Sequence, residues 1–218
     1  MTKVYLKERI ITDKERIKSF FYRLIGYVYI PEQLKNNKQN ILLHISDTPE
    51  TFFPALKKLI KDLKPNYIVH TGDLVDNIKL ELYPASLRRY EKKVKILLDI
   101  LEESKANDIY LCIGNHDNKN AVERLAKRSK IIEDSKRISI NNLGFTVSHF
   151  PEKVLKEPSK YNLLGHNLSV KNRKEYNQIY LNGIMSINII DLNTERIFNL
   201  SYPFGTDEDR LGRGKIGF

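Results

Sequence analysis

Apolar and polar positions divide the chain into two stretches of different rhythm. Over residues 13–28, apolar side chains stand at Ile17, Phe20, Phe21, Leu24, Ile25 and Val28, with Lys14, Arg16, Lys18 and Arg23 among the other positions. That spacing predicts an amphipathic helix, and such a helix is expected to pack its apolar stripe against the core of its own domain or a dimer partner. The polar segment Pro31 to Asn40 reads as a connector. Short apolar runs then alternate with helical spacing. Ile41 to Ile45 ends at Asp47, Tyr67 to Val69 at Asp73, and Ile109 to Ile113 at Asn115. Between them lie Phe53, Leu56, Leu59, Ile60 and Leu63, then Leu87, Tyr90, Val94, Leu97, Leu98 and Leu101. Strand, helix, strand, helix, strand predicts an α/β fold.

After residue 137 the rhythm is that of short strands. Ile138 to Ile140, Phe145 to Val147, Tyr161 to Leu164, Ile179 to Ile184, Met185 to Ile190 and Ile197 to Tyr202 are the candidates. Asn182-Gly183 and Asn193-Thr194-Glu195 have hairpin-turn chemistry, so this half is expected to be mainly antiparallel. Three segments follow: an N-terminal helix and connector over 1–40, one domain over 41–204, and a loose, charged tail over 205–218.

Composition narrows the class. Of 218 residues, 41% are hydrophobic and 29% charged, enough for a packed core. The formal net charge of +10 suits an acidic partner such as phosphate, nucleic acid or an anionic membrane. Cys112 is the only cysteine, so an intrachain disulfide and a thiolate-based zinc site are both excluded. The charged N-terminus lacks a signal-peptide core, and Phe20 to Ile30, broken by Arg23, is too short to span a bilayer. A cytoplasmic location is the expectation.

Asp47, Asp73, Asn115, His149 and His166 each follow an apolar run. In open α/β sheets, ligands gather where strand carboxyl ends meet, and this mixture of oxygen and imidazole donors suits Mn, Fe or Zn. Each residue alone reads equally as a helix cap or a turn residue. His44 and His70 lie three residues before an aspartate, which puts them on the opposite strand face, as core residues.

Taken in order, Asp47-Thr48-Pro49, Gly72-Asp73-Leu74-Val75-Asp76-Asn77, Gly114-Asn115-His116-Asp117, His149 and Gly165-His166-Asn167-Leu168 resemble the motifs of the calcineurin-like metallophosphoesterases over residues 40–200. The resemblance implies a four-layer sandwich of two mixed β-sheets flanked by helices, and a pair of metal ions. One ion would take Asp47, position 49, Asp73 and position 168. The other would take Asp73, Asn115, His149 and His166. His116, oriented by Asp76, would act on the leaving oxygen.

Position 49 is Pro and position 168 is Leu, where the family pattern has histidines. Both departures fall on the same ion, so the expectation is one tight divalent metal and one impaired site. Thr48 or Asn167 would have to supply the missing oxygens. Two functions follow. One is a metal-dependent phosphoesterase acting on a monoester or diester. The alternative is a non-catalytic module that binds phosphate, a nucleotide or a protein on the same fold. Nucleic acid is compatible as a substrate without being required. Lys171, Arg173, Lys174 and Tyr176 read as a solvated loop, or as a grip on phosphate. The N-terminal helix has three candidate partners: the core, a second copy, or an anionic membrane surface.

Overall fold

The computed structural model describes residues 4–5, 12–35 and 40–211. The first sheet holds β2 (Ile41–Ile45), β3 (Tyr67–His70), β4 (Asp108–Cys112) and β5 (Lys130–Ile132), all parallel, with β11 (Ile187–Asp191) antiparallel to β2 and β12 (Arg196–Leu200) antiparallel to β11 at the edge. The second sheet runs β1 (Val4–Tyr5), β9 (Arg173–Glu175), β10 (Gln178–Asn182), β8 (Tyr161–Leu164), β7 (Leu143–Ser148) and β6 (Ser135–Ile140). Among the described residues six α-helices complete the fold: α1 (Asp13–Leu24), α2 (Phe53–Leu63), α3 (Leu87–Glu102), α4 (Lys119–Leu125), α5 (Pro151–Lys156) and α6 (Thr206–Arg210).

Alternation along the strands builds the layers. In β2, Leu42 faces the second sheet and packs in one cluster with Val69, Tyr110, Phe145, Tyr161, Leu163 and Leu181. Its neighbours Ile41, Leu43 and Ile45 face the other way, in a cluster with Leu56, Leu59, Val94, Leu97 and Leu101 of α2 and α3. The outer face of the second sheet is covered by α5, through Val154 against Leu164 and Tyr180. The result is the expected four-layer sandwich of two mixed sheets and flanking helices.

Several expectations need correction. The second half is mainly antiparallel, with one departure: β8 runs parallel to both β7 and β10. Asn182-Gly183 is not a hairpin turn. It carries the chain from one sheet into the other, since β10 and β11 belong to different sheets. Asn193-Thr194-Glu195 does close a hairpin between β11 and β12, with Asp191 accepting from the Asn193 amide at 3.0 Å and the Thr194 hydroxyl at 2.7 Å. Leu34 of the connector enters the main core, as do Val28 and Ile30 just before it, while residues 36–39 lie outside the described residues.

The start of the loose tail is also part of the fold. Residues 206–210 form α6, and Arg210 is buried, its guanidinium donating to the carbonyls of Asp47 (2.7 Å), Ser46 (3.2 Å) and Ile184 (3.0 Å). Residues 212–218 lie outside the described residues. Helix α1 departs furthest from expectation. None of its residues is buried, and its apolar stripe faces outward.

His44 and His70 are fully buried, as their parity requires. His44 Nδ1 accepts from the Asn188 amide at 3.1 Å and Nε2 lies 3.0 Å from the Thr71 hydroxyl. Burial holds both imidazoles down at about 3, so each stays neutral in the folded protein while an unfolded one protonates below 6.5. Falling pH therefore favours the unfolded chain at these positions. His44→Gln, which removes one titrating ring, is expected to close the stability gap to the parent by about 2 kcal/mol between pH 7 and pH 5. Urea unfolding of the pair at both pH values checks this, and a gap that stays constant counts against a neutral His44.

Candidate metal centre

The five strand-end residues converge at one edge of the sandwich. Asp47 follows β2, Asp73 follows β3 and Asn115 follows β4 in the first sheet. His149 follows β7 and His166 follows β8 in the second. Asp47, Asp73 and His166 all have left-handed backbone, with φ of 50°, 52° and 67°. Non-glycine residues adopt this region at a cost, and the surrounding bonds must hold them there. Gly72 (φ 93°) precedes Asp73, and a Cβ on it would stand 2.7 Å from the His149 ring. Gly114 has no room for a Cβ at all, because the Asp73 carboxylate lies directly against it. The glycines of both motifs thus let the two loops close onto the carboxylate. Asp117 laces the same loops, accepting from the Leu74 and Gly114 amides and the Tyr90 hydroxyl, each at 2.8 Å.

Four donor atoms face one another. Asn115 Oδ1 is 3.1 Å from His149 Nε2 and 3.1 Å from His166 Nδ1. The two ring nitrogens are 3.3 Å apart, and His149 Nε2 is 3.5 Å from Asp73 Oδ2. Ligands about 2.1 Å from a tetrahedral ion stand about 3.4 Å apart, so this is the spacing of a coordination shell. The tautomer supports the same conclusion. His149 Nδ1 lies 2.7 Å from the Thr71 carbonyl, which can only accept, so Nδ1 carries the proton and Nε2 presents a lone pair. The Asn115 side-chain amide donates to Glu81, which turns its oxygen towards the histidines. With the His166 proton on Nε2, all four atoms present lone pairs to one point, the arrangement that a cation fills. At Asp73, burial, then the charges of Asp47, Asp117 and Asp76, push the carboxyl well above the usual range. Asp47, Asp73 and His149 also form a trio whose ligand atoms all lie within 4.8 Å of one another. This donor set fits a divalent metal ion.

The neighbouring half-site is different. Pro49 opens a short 3₁₀ turn, and Leu168 is 56% exposed on the cleft wall. Thr48 does not compensate. It is buried, its hydroxyl donates to the Leu74 carbonyl at 2.8 Å, and His70 Nε2 lies 3.0 Å away. The Asn167 oxygen accepts from the Ser169 amide at 2.9 Å. Asp47 Oδ2 already accepts from the Ser46 hydroxyl and, at 3.3 Å, from the His166 amide. Beside it lies Arg210, on the same cleft wall as Asp47, Asp73 and Asp76. A fixed guanidinium there opposes a second cation. Sequence reasoning missed Arg210, because nothing in the charged run Asp207 to Arg210 distinguishes it from a solvated tail. Replacing Arg210 with Met would strand the buried carbonyls of Ser46 and Asp47 and the half-buried one of Ile184, so it is expected to cost about 2–4 kcal/mol in urea unfolding. A loss under about 1 kcal/mol would remove the clamp role.

His116 also lines the cleft, with its backbone amide donating to Asp73 Oδ1 at 3.0 Å. Burial, then the Lys79 ammonium, hold its ring below the ordinary imidazole value. Its partnership with Asp76 needs correction. The Asp76 carboxylate pairs with Lys79, three residues on, and His116 Nδ1 instead lies 3.6 Å from Glu81. Asp76 still contributes charge nearby, since Asp73, Asp76 and His116 offer ligand atoms within 4.8 Å of one another. Lys79 is the second cleft cation that the sequence did not single out.

Residues 42–210 match the family model described as calcineurin-like phosphoesterase. The chain belongs to that family. Among solved structures, the chain is similar to one described as a novel archaeal phosphodiesterase, at 17% identity, covering 74% of this chain and 99% of that one, with a TM-score of 0.52. It is also similar to YfcE, described as a phosphoesterase from E. coli, at 16% identity, 75% and 99% coverage and a TM-score of 0.49. Zinc-bound Vps29 from Entamoeba histolytica is 15% identical, with 72% and 88% coverage and a TM-score of 0.44. Identities this low speak to the fold alone. No curated protein matches the chain.

Arg173 of the candidate phosphate grip is engaged in the second sheet. It pairs with Glu175 at 3.0 Å and lies 4.3 Å over the Tyr180 ring.

Proposed function

We propose that this family member hydrolyses phosphoesters with one tightly held divalent metal ion. The observation that carries the reading is the convergence of Asp73 Oδ2, Asn115 Oδ1, His149 Nε2 and His166 Nδ1 at 3.1–3.5 Å. An ion bound there supplies Lewis acidity and makes water nucleophilic near neutral pH. The chain's own residues do the rest. His149 and Asn115 are oriented in advance by Thr71 and Glu81, so little reorganisation is needed on loading. His116 hydrogen-bonds the departing oxygen and passes a proton there. Lys79 and Arg210 stand in the cleft ion-paired with Asp76 and Asp207, and they offer an anionic phosphoester two cationic contacts where the family pattern places a second ion. Asp47 remains in the site as a carboxylate beside the ion, with its own second-ion partners missing at positions 49 and 168.

Those two missing ligands favour a second reading, in which the same ion holds a phosphate or nucleotide without turnover. One preparation separates the two. After dialysis, metal analysis is expected to find about one Mn, Fe or Zn per chain, and loaded protein is expected to hydrolyse a nitrophenyl phosphodiester or monoester. Two equally tight ions would overturn the single-metal reading. One ion without hydrolysis of either ester, but with saturable phosphate binding, would establish the binding module instead.

A further inference from the structure

Helix α1 is mounted the wrong way round for a soluble domain. Its inner face is Glu15, Ser19 and Arg23, spaced four apart and all half-buried. Glu15 accepts from the Tyr29 hydroxyl and the Glu32 amide, both at 3.3 Å. Arg23 donates to the Tyr202 carbonyl at 2.9 Å and stacks 4.0 Å over the Phe204 ring. The helix is thus bonded to the body through its polar side. Ile17, Phe20, Phe21, Leu24 and Ile25 fall in an arc of about 140° on the opposite side, and each is between 51% and 65% exposed. An amphipathic helix normally buries that stripe against a core. Phe20 makes edge contacts with Phe204 at 5.6 Å and, along the stripe itself, with Phe21 at 5.8 Å between ring centroids.

The charge around the stripe is mainly positive, with Asp13 paired to Arg16 on the helix, Asp62 paired to Lys58 beside it, and Glu103 in the adjoining groove as the acidic members. Lys14 falls within the arc and Lys18 borders it on the helix itself. Next to α1, the C-terminal end of α2 presents Lys58, Lys61 and Lys64 around a groove shared with Tyr22 and Tyr29. Lys57 and Lys105 extend the patch around the adjoining groove. We propose that this face docks the protein on an anionic lipid surface, with the stripe of α1 entering the interface and the surrounding lysines meeting acidic headgroups. Interfacial helices combine these two features: Phe and Leu on one face, with Lys and Arg beside it. A second copy fits less well, because a two-fold contact through α1 would set the lysine-bordered face of one copy against that of the other. Nucleic acid would satisfy the lysines and leave the stripe in water. No helix among the described residues is long and apolar enough to cross a membrane, so the association is peripheral. It is independent of the metal centre.

The experiment is co-sedimentation of the full chain with vesicles. One set is phosphatidylcholine alone, and the other has about a third of its lipid as phosphatidylglycerol. Binding is expected to be at least ~10-fold stronger to the anionic set and to weaken as salt rises. Phe21→Glu with Leu24→Glu should remove it, with unchanged thermal unfolding because both side chains are exposed. Lys14→Glu with Lys18→Glu should weaken anionic binding by about fivefold or more per residue. Equal binding to both vesicle types, equal binding by the Phe21/Leu24 variant, or no binding would overturn the proposal. So would a parent dimer that becomes monomeric in that variant without any vesicle binding, which would assign the face to a second copy.

Discussion

His149→Ala is expected to release the metal ion and lower phosphoester turnover by about 10³-fold or more. The ring is fully buried, and its two nitrogens have separate tasks. Nδ1 lies against the Thr71 carbonyl, and Nε2 faces Asp73, Asn115 and His166 in the proposed shell. Removing it leaves three donors, an open cavity and an unpaired carbonyl. Some loss of stability is therefore expected too. His166→Ala controls for that, because His166 is only half-buried and its ring nitrogen contacts lie within the donor cluster. Both variants should lose metal in parallel, while the His166 variant keeps near-parent unfolding in urea. Full metal retention by the folded His166 variant would exclude that residue from the shell.

His116→Ala should behave oppositely: turnover falls by roughly 10²–10⁴, the range of a positioned proton donor or acceptor, while metal content stays at the parent level. The geometry supports this separation. The His116 ring is not among the four converging atoms, and its backbone amide, which a substitution preserves, is what anchors Asp73. Because Asp76 is paired with Lys79 and not with His116, Asp76→Asn is expected to disturb Lys79 first. Its main effect should therefore fall on KM, through the cleft cation, with a smaller change in kcat. Parallel measurement of metal content, kcat and KM on both variants checks the division. A His116 variant with full activity, or one stripped of metal, would remove the role assigned to it.

The hydrophobic pattern and the polar residues that punctuate it determined the layers and most of the cluster. A run such as Ile41–Ile45, buried throughout, can only sit between two covering layers. The residues that end such runs stand at the sheet edge wherever the strands lie, so Asp47, Asp73, Asn115, His149 and His166 were legible as a group. The parity that sent His44 and His70 into the core was legible for the same reason. The losses at positions 49 and 168 are facts of the sequence alone.

Tertiary structure decided what depends on which segments meet. A short strand reads the same whether its neighbour runs parallel or antiparallel, so the parallel β7-β8-β10 core of the second sheet could not be inferred from runs of apolar residues. Arg210 is separated from Asp47 by 163 residues, and its burial follows from carbonyls that only the folded turns at Ser46, Asp47 and Ile184 bring together. Asp76 was expected beside His116, and the turn after β3 instead pairs its carboxylate with Lys79, three residues away. The orientation of α1 was undetermined for the most general reason. Periodicity shows that a helix has an apolar side, but which side meets the body depends on the bonds available there. In this protein Tyr29, Glu32, Tyr202 and Phe204 take hold of the polar one.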